Sequence, residues 1–83
     1  MRVIDVKKVK ISEKTLCVYS LILENNAYTV ECKEQDKSGR VKDSASVKDI
    51  TTEQEVAKEI FQKVARNGVC ACTLFDVVSD LIC

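Results

Sequence analysis

Apolar and polar positions alternate along much of the first half of the chain, and a period of two residues is typical of β-strands. Four strands are predicted, over residues 2–11, 15–24, 27–34 and 41–48. The second is apolar on both faces, which is typical of a central strand covered on both sides. In the first, the apolar phase shifts near Lys7 and Lys8, so we expect an irregularity of the strand there.

Short polar stretches separate these strands. Residues 12–14 predict a turn, and residues 35–40 predict a polar loop that contains a glycine. Between the second and third strands stands Asn25-Asn26, and asparagine tolerates the positive φ angles of a two-residue hairpin turn. The fourth strand has lysines near both ends, which suit the exposed edge of a sheet. Three apolar residues are predicted on one face of this strand, Val41, Ala45 and Val47.

The period changes to 3.6 residues over residues 49–68, which predicts an amphipathic α-helix. The apolar side of this helix consists of Val56, Ala57, Ile60, Phe61, Val64 and Ala65. Thr51 or Thr52 is the expected N-cap, because each is followed three residues later by a side chain that can complete a capping box. Gly68 is the expected end of the helix, since glycine readily takes the left-handed conformation found there.

The last segment predicts a second, shorter helix. Residues 69–72 are expected to form an extended connector, and Thr73 is the expected N-cap. Six apolar residues surround much of this helix, Leu74, Phe75, Val77, Val78, Leu81 and Ile82. A helix with so little polar surface is expected to be mostly buried, or covered by a second copy of the protein.

The order β-β-β-β-α-α predicts an α+β fold. We expect an antiparallel meander of three to four strands, followed by two helices packed on one face. The 83 residues are expected to form a single domain, residues 1–83. A chain of this length buries roughly 60–65% of its unfolded surface, so the core is modest.

Charge and hydropathy limit the classes of partner. Thirteen basic and thirteen acidic residues give a formal net charge of zero, so no overall charge attracts the chain to nucleic acid or to an anionic membrane. The longest apolar run, residues 21–23, is too short to span a bilayer. The first residues carry charge where a secretory signal needs an apolar core, so we expect a cytoplasmic location.

Candidate catalytic chemistry is sparse. The chain has no histidine, the commonest general base and metal ligand. Its two glycines, Gly39 and Gly68, lie in no phosphate-binding motif. Asp76 and Asp80 are one helical turn apart, but a helix cap and a solvent-facing carboxylate explain this pair. We therefore expect no enzyme activity and no cofactor.

The chain has five cysteines, Cys17, Cys32, Cys70, Cys72 and Cys83. An odd number without an export signal favours free thiols in a reducing compartment. The first four could together form a thiolate zinc site, but the pair around Ala71 lacks the usual two-to-four-residue spacing. Small buried thiols are the leading interpretation. The sequence assigns the five no role beyond packing, and a metal site and redox chemistry stay alternatives.

Four parts of the chain together resemble a known family: residues 18–24 with the hairpin to Tyr28, Ser44-Ala45, residues 49–52 and residues 74–81. The family consists of short uncharacterised proteins from spore-forming, mostly anaerobic Gram-positive bacteria. It is a domain of unknown function, so the resemblance implies no catalytic residues. Its members tend to have proline and histidine before the last helix, where this chain has Cys70-Ala71-Cys72-Thr73.

A basic N-terminal strand offers one alternative function. Residues 2–14 contain five basic and two acidic residues, and Lys7, Lys8 and Lys10 could contact the phosphates of a nucleic acid. Besides two phenylalanines, only Tyr19 and Tyr28 could stack on bases, and an RNA-recognition fold would interleave helices with its strands. Lysines that solubilise an edge strand explain the same pattern. Nucleic-acid binding is therefore the less favoured interpretation.

Excess apolar surface favours a non-catalytic module that binds proteins and associates with itself. Two helices cover one face of a four-stranded sheet, and a symmetric dimer is the commonest way to cover the other. We therefore expect a homodimer, with another protein as a further partner and no membrane. The predicted contact residues are Leu16, Val18, Ile22, Phe75, Val78 and Leu81.

Overall fold

A computed structural model describes residues 1–82, and Cys83, one of the five cysteines considered above, lies outside the described residues. The strands are β1 (Arg2–Ser12), β2 (Thr15–Glu24), β3 (Ala27–Gln35) and β4 (Val41–Val47). They are followed by helix α1 (Gln54–Arg66), a 3-10 turn (Ala71–Thr73) and helix α2 (Leu74–Ile82). The predicted α+β order is confirmed, and each strand begins and ends within one residue of its predicted range.

The four strands form one antiparallel sheet in the order β1-β2-β3-β4. The predicted turn between β2 and β3 is present: Asn25 and Asn26 have φ angles of 54° and 65°, as a type I′ hairpin requires. From this turn the pairing of β2 with β3 continues without a shift from Glu24↔Ala27 to Leu16↔Gln35. Because directly paired residues share a face and successive residues alternate, this register assigns each side chain to one of two faces.

Both helices pack on one face of the sheet, called here the helix face, as predicted. The strands contribute Cys17, Tyr19, Leu21, Tyr28, Val30, Cys32 and Val47 to the core, and the helices contribute Ala57, Ile60, Phe61, Val64, Ala65, Leu74 and Val78. The Cα atoms extend over 35 × 25 × 16 Å. Since packed layers stand about 10 Å apart, a 16 Å dimension accommodates one sheet and one helix layer. Within residues 1–82 no helix covers the second face, which is called the open face.

The irregularities of β1 lie elsewhere than predicted. Its pairing with β2 shifts at Ile4 and again at Ile11, whereas Lys7 and Lys8 lie in a regular part of the ladder. The alternation of apolar and polar residues is interrupted near the two lysines because the valines on either side of them lie on different faces: Val6 pairs with Ser20 on the open face, and Val9 pairs with Cys17 on the helix face. The backbone there is regular, so the predicted position of the irregularity was wrong.

An irregularity in β4 moves one predicted side chain. The pairing of β3 with β4 shifts at Lys42, an extra residue in β4. Val41 consequently pairs with Gln35, on the open face, whereas Ala45 and Val47 face the helices. The prediction that all three apolar residues share a face was therefore wrong for Val41, because one extra residue reverses the face of the positions beyond it.

Helix α1 has the predicted end but not the predicted start. Its N-cap is Glu53, which makes no side-chain capping bond. The Thr51 hydroxyl instead accepts a hydrogen bond from the Glu53 N–H at 3.1 Å, before the helix begins, so the expected cap at Thr51 or Thr52 was wrong. At the other end Gly68 has a φ of 61°. Its N–H and that of Val69 donate to carbonyls of the last turn at 3.2 and 3.4 Å, which is a Schellman motif.

The connector to α2 is more curved than predicted. Residues 71–73 form a 3-10 turn instead of an extended segment, and α2 begins at Leu74. Thr73 is not an N-cap, because its backbone N–H and its hydroxyl both donate to the Cys70 carbonyl, at 3.1 and 3.3 Å. The turn places Ala71 in the core.

Candidate interaction surface

The open face carries a group of apolar side chains with no helix above them. The register of β1 and β2 places Val3, Val6, Leu16, Val18 and Ile22 there, and these five residues are called the apolar strip. Val3 and Val6 are the most exposed, with 54% and 46% of their surface accessible. Leu16 and Val18 are half-buried, and Ile22 is shielded by its neighbours.

Basic side chains flank the apolar strip. Lys8 and Lys10 pair with Val18 and Leu16 across the β1–β2 ladder, so both lysines lie on the open face. Lys33 pairs with Val18 from the other side, on β3. All three lysines are exposed. The open face is therefore basic around Val18, although the whole chain has a net charge of zero.

Two carboxylates on the open face offset part of this charge. The Glu31 carboxylate lies 3.6 Å from the Nζ atom of Lys33, and both residues belong to β3. Glu24 lies at the hairpin end of the same face, where it pairs with Ala27. Within residues 1–82, Lys8 and Lys10 make no ion pair. These two charges are therefore free to meet an acidic group of a partner.

Lys7, the third lysine predicted to contact phosphates, lies on the opposite side of the sheet. It pairs with Tyr19, and its Nζ atom lies 6.0 Å from the centroid of the Phe61 ring. A cation over an aromatic face is favourable at this distance. Lys7 therefore covers an edge of the core, and the predicted group of Lys7, Lys8 and Lys10 is divided between the two faces.

The six predicted contact residues do not form one surface. The open face holds Leu16, Val18 and Ile22. Helix α2, on the other side of the sheet, holds Phe75, Val78 and Leu81. Val78 is completely buried and Leu81 packs partly against the core, whereas Phe75 is 67% exposed. A role of these residues in binding stays a prediction, which now requires two separate surfaces and leaves Val78 without access to a partner.

Helix α2 presents an acidic and apolar surface of its own. Phe75 and Ile82 are 67% and 49% exposed, and residues seven apart lie two turns apart on the same side of a helix. Asp76 and Asp80 are also exposed, and the last turn contains no basic residue. Phe75, Asp76, Asp80 and Ile82 are called the α2 surface. The prediction that this helix is mostly buried therefore holds only for the side that carries Leu74 and Val78.

Sequence comparison places the chain in a family. The pattern of DUF6514, a family of unknown function, matches residues 4–83. The chain belongs to the DUF6514 family. The expected membership of a family of unknown function is thereby confirmed. No curated protein and no solved structure matches the chain.

Neither helix of this DUF6514 protein offers a membrane span. In the part of the chain that the structure describes, no helix is long and apolar enough to cross a bilayer. The longer helix, α1, has 13 residues, whereas a span needs about 20 apolar residues.

The cysteines of this DUF6514 protein are divided between the core and the surface. Cys17 and Cys32 are completely buried, Cys70 is half-buried and Cys72 is exposed. Burial, with Cys17 close by, raises the pKa of the Cys32 thiol to about 12, and burial raises the pKa of Cys70 as well. Both thiols stay protonated at neutral pH, and only the thiolate binds metals or acts as a nucleophile.

A metal site built from these cysteines finds no support in the structure. Within residues 1–82, no group of three or more cysteine, aspartate or glutamate side chains is placed to hold a metal ion. The two strand cysteines lie in the core, whereas Cys72 points to solvent. The four predicted thiolate ligands are therefore divided between two environments.

Polar groups of the helix face hold the connector against the sheet. The Tyr19 hydroxyl donates to the Val69 carbonyl at 2.7 Å, and the Ala71 N–H donates to the Glu34 carboxylate at 3.2 Å. Burial raises the pKa of Tyr19, with Cys17 as a further cause. Among the described residues, no buried side-chain nitrogen or oxygen lacks a hydrogen-bond partner. These buried polar groups are therefore engaged in the fold.

Aromatic rings are absent from the open face as the structure describes it. Tyr19, Tyr28 and Phe61 are buried under the helices, and Phe75 belongs to α2. Single-stranded nucleic acids are held largely by stacking of bases on such rings. The open face can therefore contact phosphates through lysines, but it offers no ring for a base.

Two adjoining clefts lie where the β1–β2 turn meets the β3–β4 loop. Their volumes are about 140 and 340 Å³, and Lys14, Asp36 and Lys37 line both. The Asp36 carboxylate accepts hydrogen bonds from the N–H groups of Ser38 and Arg40, at 2.9 and 3.0 Å. A hydrogen bond from the Ser38 hydroxyl, together with these two bonds from backbone N–H groups, lowers the pKa of Asp36. The acid common to both clefts is therefore engaged in holding the loop.

Proposed function

We propose that the protein is a non-catalytic interaction module that associates with itself through the open face of its sheet. The exposure of Val3 and Val6 on a face without helices is the observation that supports this most. Single exposed valines are ordinary on protein surfaces, but Val3 pairs with Ile22, and Val6 pairs with Ser20, diagonal to Val18 and Ile22, so both continue the apolar strip. Covering apolar surface contributes about 25 cal/mol for each Å² removed from water.

The absence of catalysis belongs to the same proposal. The buried polar groups are engaged in internal hydrogen bonds, and the Cys32 and Cys70 thiols keep their protons at neutral pH. Reduced thiols also fit a cytoplasmic location. The bacterial source that the resemblance implies stays a prediction.

Light scattering over a range of concentrations tests self-association. We expect the wild-type mass to exceed the 9.3 kDa of one chain and to rise with concentration. Val6→Asp places a charge in the apolar strip, so it should shift the mass toward that of the monomer. Val56→Asp is the matched control, because Val56 is similarly exposed, at 39%, but lies on α1.

Two results would count against the proposal. A wild-type protein that stays at 9.3 kDa at its highest attainable concentration removes the main support. An equal loss of mass in Val6→Asp and Val56→Asp would show that any added charge disperses the protein. The open face would then have no special role.

Nucleic-acid binding is a second candidate, and the grouping of Lys8, Lys10 and Lys33 on the open face favours it. Without aromatic rings, such binding would rest on phosphate contacts and would weaken steeply with salt. Fluorescence anisotropy with RNA and DNA at low and physiological salt tests it. Replacing Lys8 and Lys10 by glutamine should lower both the affinity and its salt dependence. No binding at low salt would exclude this candidate.

A further inference from the structure

We infer that the open face receives the α2 surface of a second copy, so that copies associate head to tail. This inference rests on the proposed function, because it names the occupant of the same face. It is carried by charge and by the distribution of exposed apolar side chains.

Charge on the open face disfavours contact between two such faces. A symmetric dimer brings the same patch of both copies together. Lys8 and Lys10 would then approach lysines of the other copy across an apolar contact, and like charges placed together in an interface are unfavourable. Of the two acids on the same face, Glu31 is already 3.6 Å from Lys33, and Glu24 lies at the hairpin end of β2, six residues from Val18, the partner of Lys8. The open face therefore fits an occupant that is apolar and acidic.

The α2 surface has this character. Phe75 and Ile82 are its apolar side chains, and their Cα atoms stand about 10 Å apart along the helix axis. Asp76 and Asp80 are both exposed and one turn apart. Asp76 borders Phe75, about 100° round the helix, and Asp80 lies further round, at about 140°. An apolar pair bordered by one carboxylate, with a second carboxylate further round the helix, complements an apolar strip with two unpaired lysines beside it.

Helix α1 does not offer an equivalent surface. Its exposed side carries charges of both signs, and the Lys63 Nζ atom lies 3.1 Å from the Glu59 carboxylate. Val56 is the one large hydrophobic residue of α1 that is substantially exposed. The helix thus lacks both an excess of acidic charge and a pair of apolar anchors.

One copy cannot make this contact with itself. The open face and the helix layer lie on opposite sides of the sheet, so each copy presents both surfaces outward. Such an interface uses two different surfaces and generates rings, or open chains if the rotation does not close. Wild-type assemblies are therefore expected to grow beyond two copies as concentration rises.

Mixing two variants tests the inference. Val6→Asp disables the open face and leaves the α2 surface intact, whereas Phe75→Glu disables the α2 surface and leaves the open face intact. We expect each variant alone to lose the wild-type assemblies and to give a mass of 9.3 kDa. An equimolar mixture should give a species of twice that mass, because each variant contributes one intact surface. Circular dichroism and thermal unfolding confirm that both variants fold.

The other outcomes separate this inference from the proposed function. If Phe75→Glu keeps the wild-type mass while Val6→Asp loses it, the open face joins copies but α2 is not its occupant. If Val6→Asp keeps the wild-type mass while Phe75→Glu loses it, helices meet each other and both statements are wrong. A wild-type protein that stays monomeric overturns both as well.

A charge exchange tests complementarity directly. Lys8→Glu with Lys10→Glu should weaken association, and so should Asp76→Lys with Asp80→Lys. The chain carrying all four substitutions should regain the wild-type mass, because its two surfaces have exchanged signs. Failure of the fourfold variant to associate, although it folds, would contradict the pairing of these two surfaces.

Discussion

The hydroxyl of Tyr19 lies 2.7 Å from the carbonyl oxygen of Val69 and donates a hydrogen bond to it across 50 residues of the chain. Tyr19 belongs to the central strand β2, and Val69 directly follows the glycine that ends α1. The bond therefore joins the middle of the sheet to the connector between the helices. The Cys32 sulfur lies 3.8 Å from the same carbonyl, which is a weak contact for a thiol donor.

Loss of this bond should destabilise the fold. Tyr19→Phe keeps the ring but leaves the Val69 carbonyl buried without its main donor, so we expect the free energy of unfolding to fall by about 1–2 kcal/mol. Urea unfolding followed by circular dichroism measures it. Tyr28→Phe is the control, because this ring is also buried but its hydroxyl has no partner within residues 1–82. Equal losses in the two variants would show that the bond contributes nothing.

Gly68 should be intolerant of a side chain for two separable reasons. Its φ is 61°, and an added Cβ would lie 3.1 Å from the Cδ1 atom of Ile11. Gly68→Ala is therefore expected to lower the free energy of unfolding by about 1 kcal/mol or more. Gly39→Ala provides the control, since Gly39 has a φ of 88° but nothing within 4 Å of an added Cβ. Urea unfolding measures the loss of stability in both variants. The amount by which the loss in Gly68→Ala exceeds the loss in Gly39→Ala is attributed to the contact with Ile11 and to the Schellman motif.

The Cys32 thiol should make stability fall at high pH. Burial raises its pKa to about 12 in the folded protein, against an ordinary value of 9.0. Between these two values the unfolded chain has released the proton and the folded chain has not. The thiol's contribution to stability is therefore complete below about pH 9 and is lost as the pH rises to about 12.

Cys32→Ala should make this decline shallower, whereas Cys72→Ala, which removes an exposed thiol, should leave it unchanged. The measurement is the free energy of unfolding by urea at a series of pH values above neutrality. The two variants are compared by the slope of the free energy of unfolding against pH. Lost packing in an alanine variant lowers this free energy equally at every pH, so it does not change the slope. Tyr19, whose pKa burial also raises, contributes a decline in the same direction to both variants. Identical slopes in the two variants would contradict the assignment to Cys32.

Local features of the fold were predictable because they depend on single residue types. Asn25, Asn26 and Gly68 have the positive φ angles that their side chains, or the lack of one, favour. The start of α1 was not predictable in the same way. Thr51 and Thr52 both satisfy the capping pattern, but the chain pairs with β3 through Ile50 and Thr51 before it turns into the helix.

The open face was predicted in part. Leu16, Val18 and Ile22 were identified because β2 alternates regularly. Val3 and Val6 were not, although they are the most exposed members of the apolar strip. Val3 and Val6 are three residues apart, so a regular strand would place them on opposite faces of the sheet. The extra residue at Ile4 shifts the pairing and brings both to the open face. Such a shift depends on the pairing of two strands and leaves no clear signal in either strand alone.

Two neighbouring lysines of β1 give a paired test of this assignment of faces. Lys7 lies over the Phe61 ring on the helix face, 6.0 Å from its centroid, so Lys7→Gln should lower the free energy of unfolding by about 0.5–1 kcal/mol. Lys8 is exposed on the open face, so Lys8→Gln should change the free energy of unfolding by less than about 0.5 kcal/mol. Lys8→Gln should instead weaken association, because it removes a positive charge beside the apolar strip. Lys7→Gln should leave association unchanged.

Urea unfolding and light scattering on the same two samples check both halves of this prediction. The substitutions are identical and the residues are adjacent, so composition and net charge cannot distinguish the variants. Only the side of the sheet on which each lysine lies differs. If both variants weakened association equally, or both lowered stability equally, the division of these lysines between the helix face and the open face would be wrong. The open face would then lose one of the two unpaired charges that favour an acidic occupant.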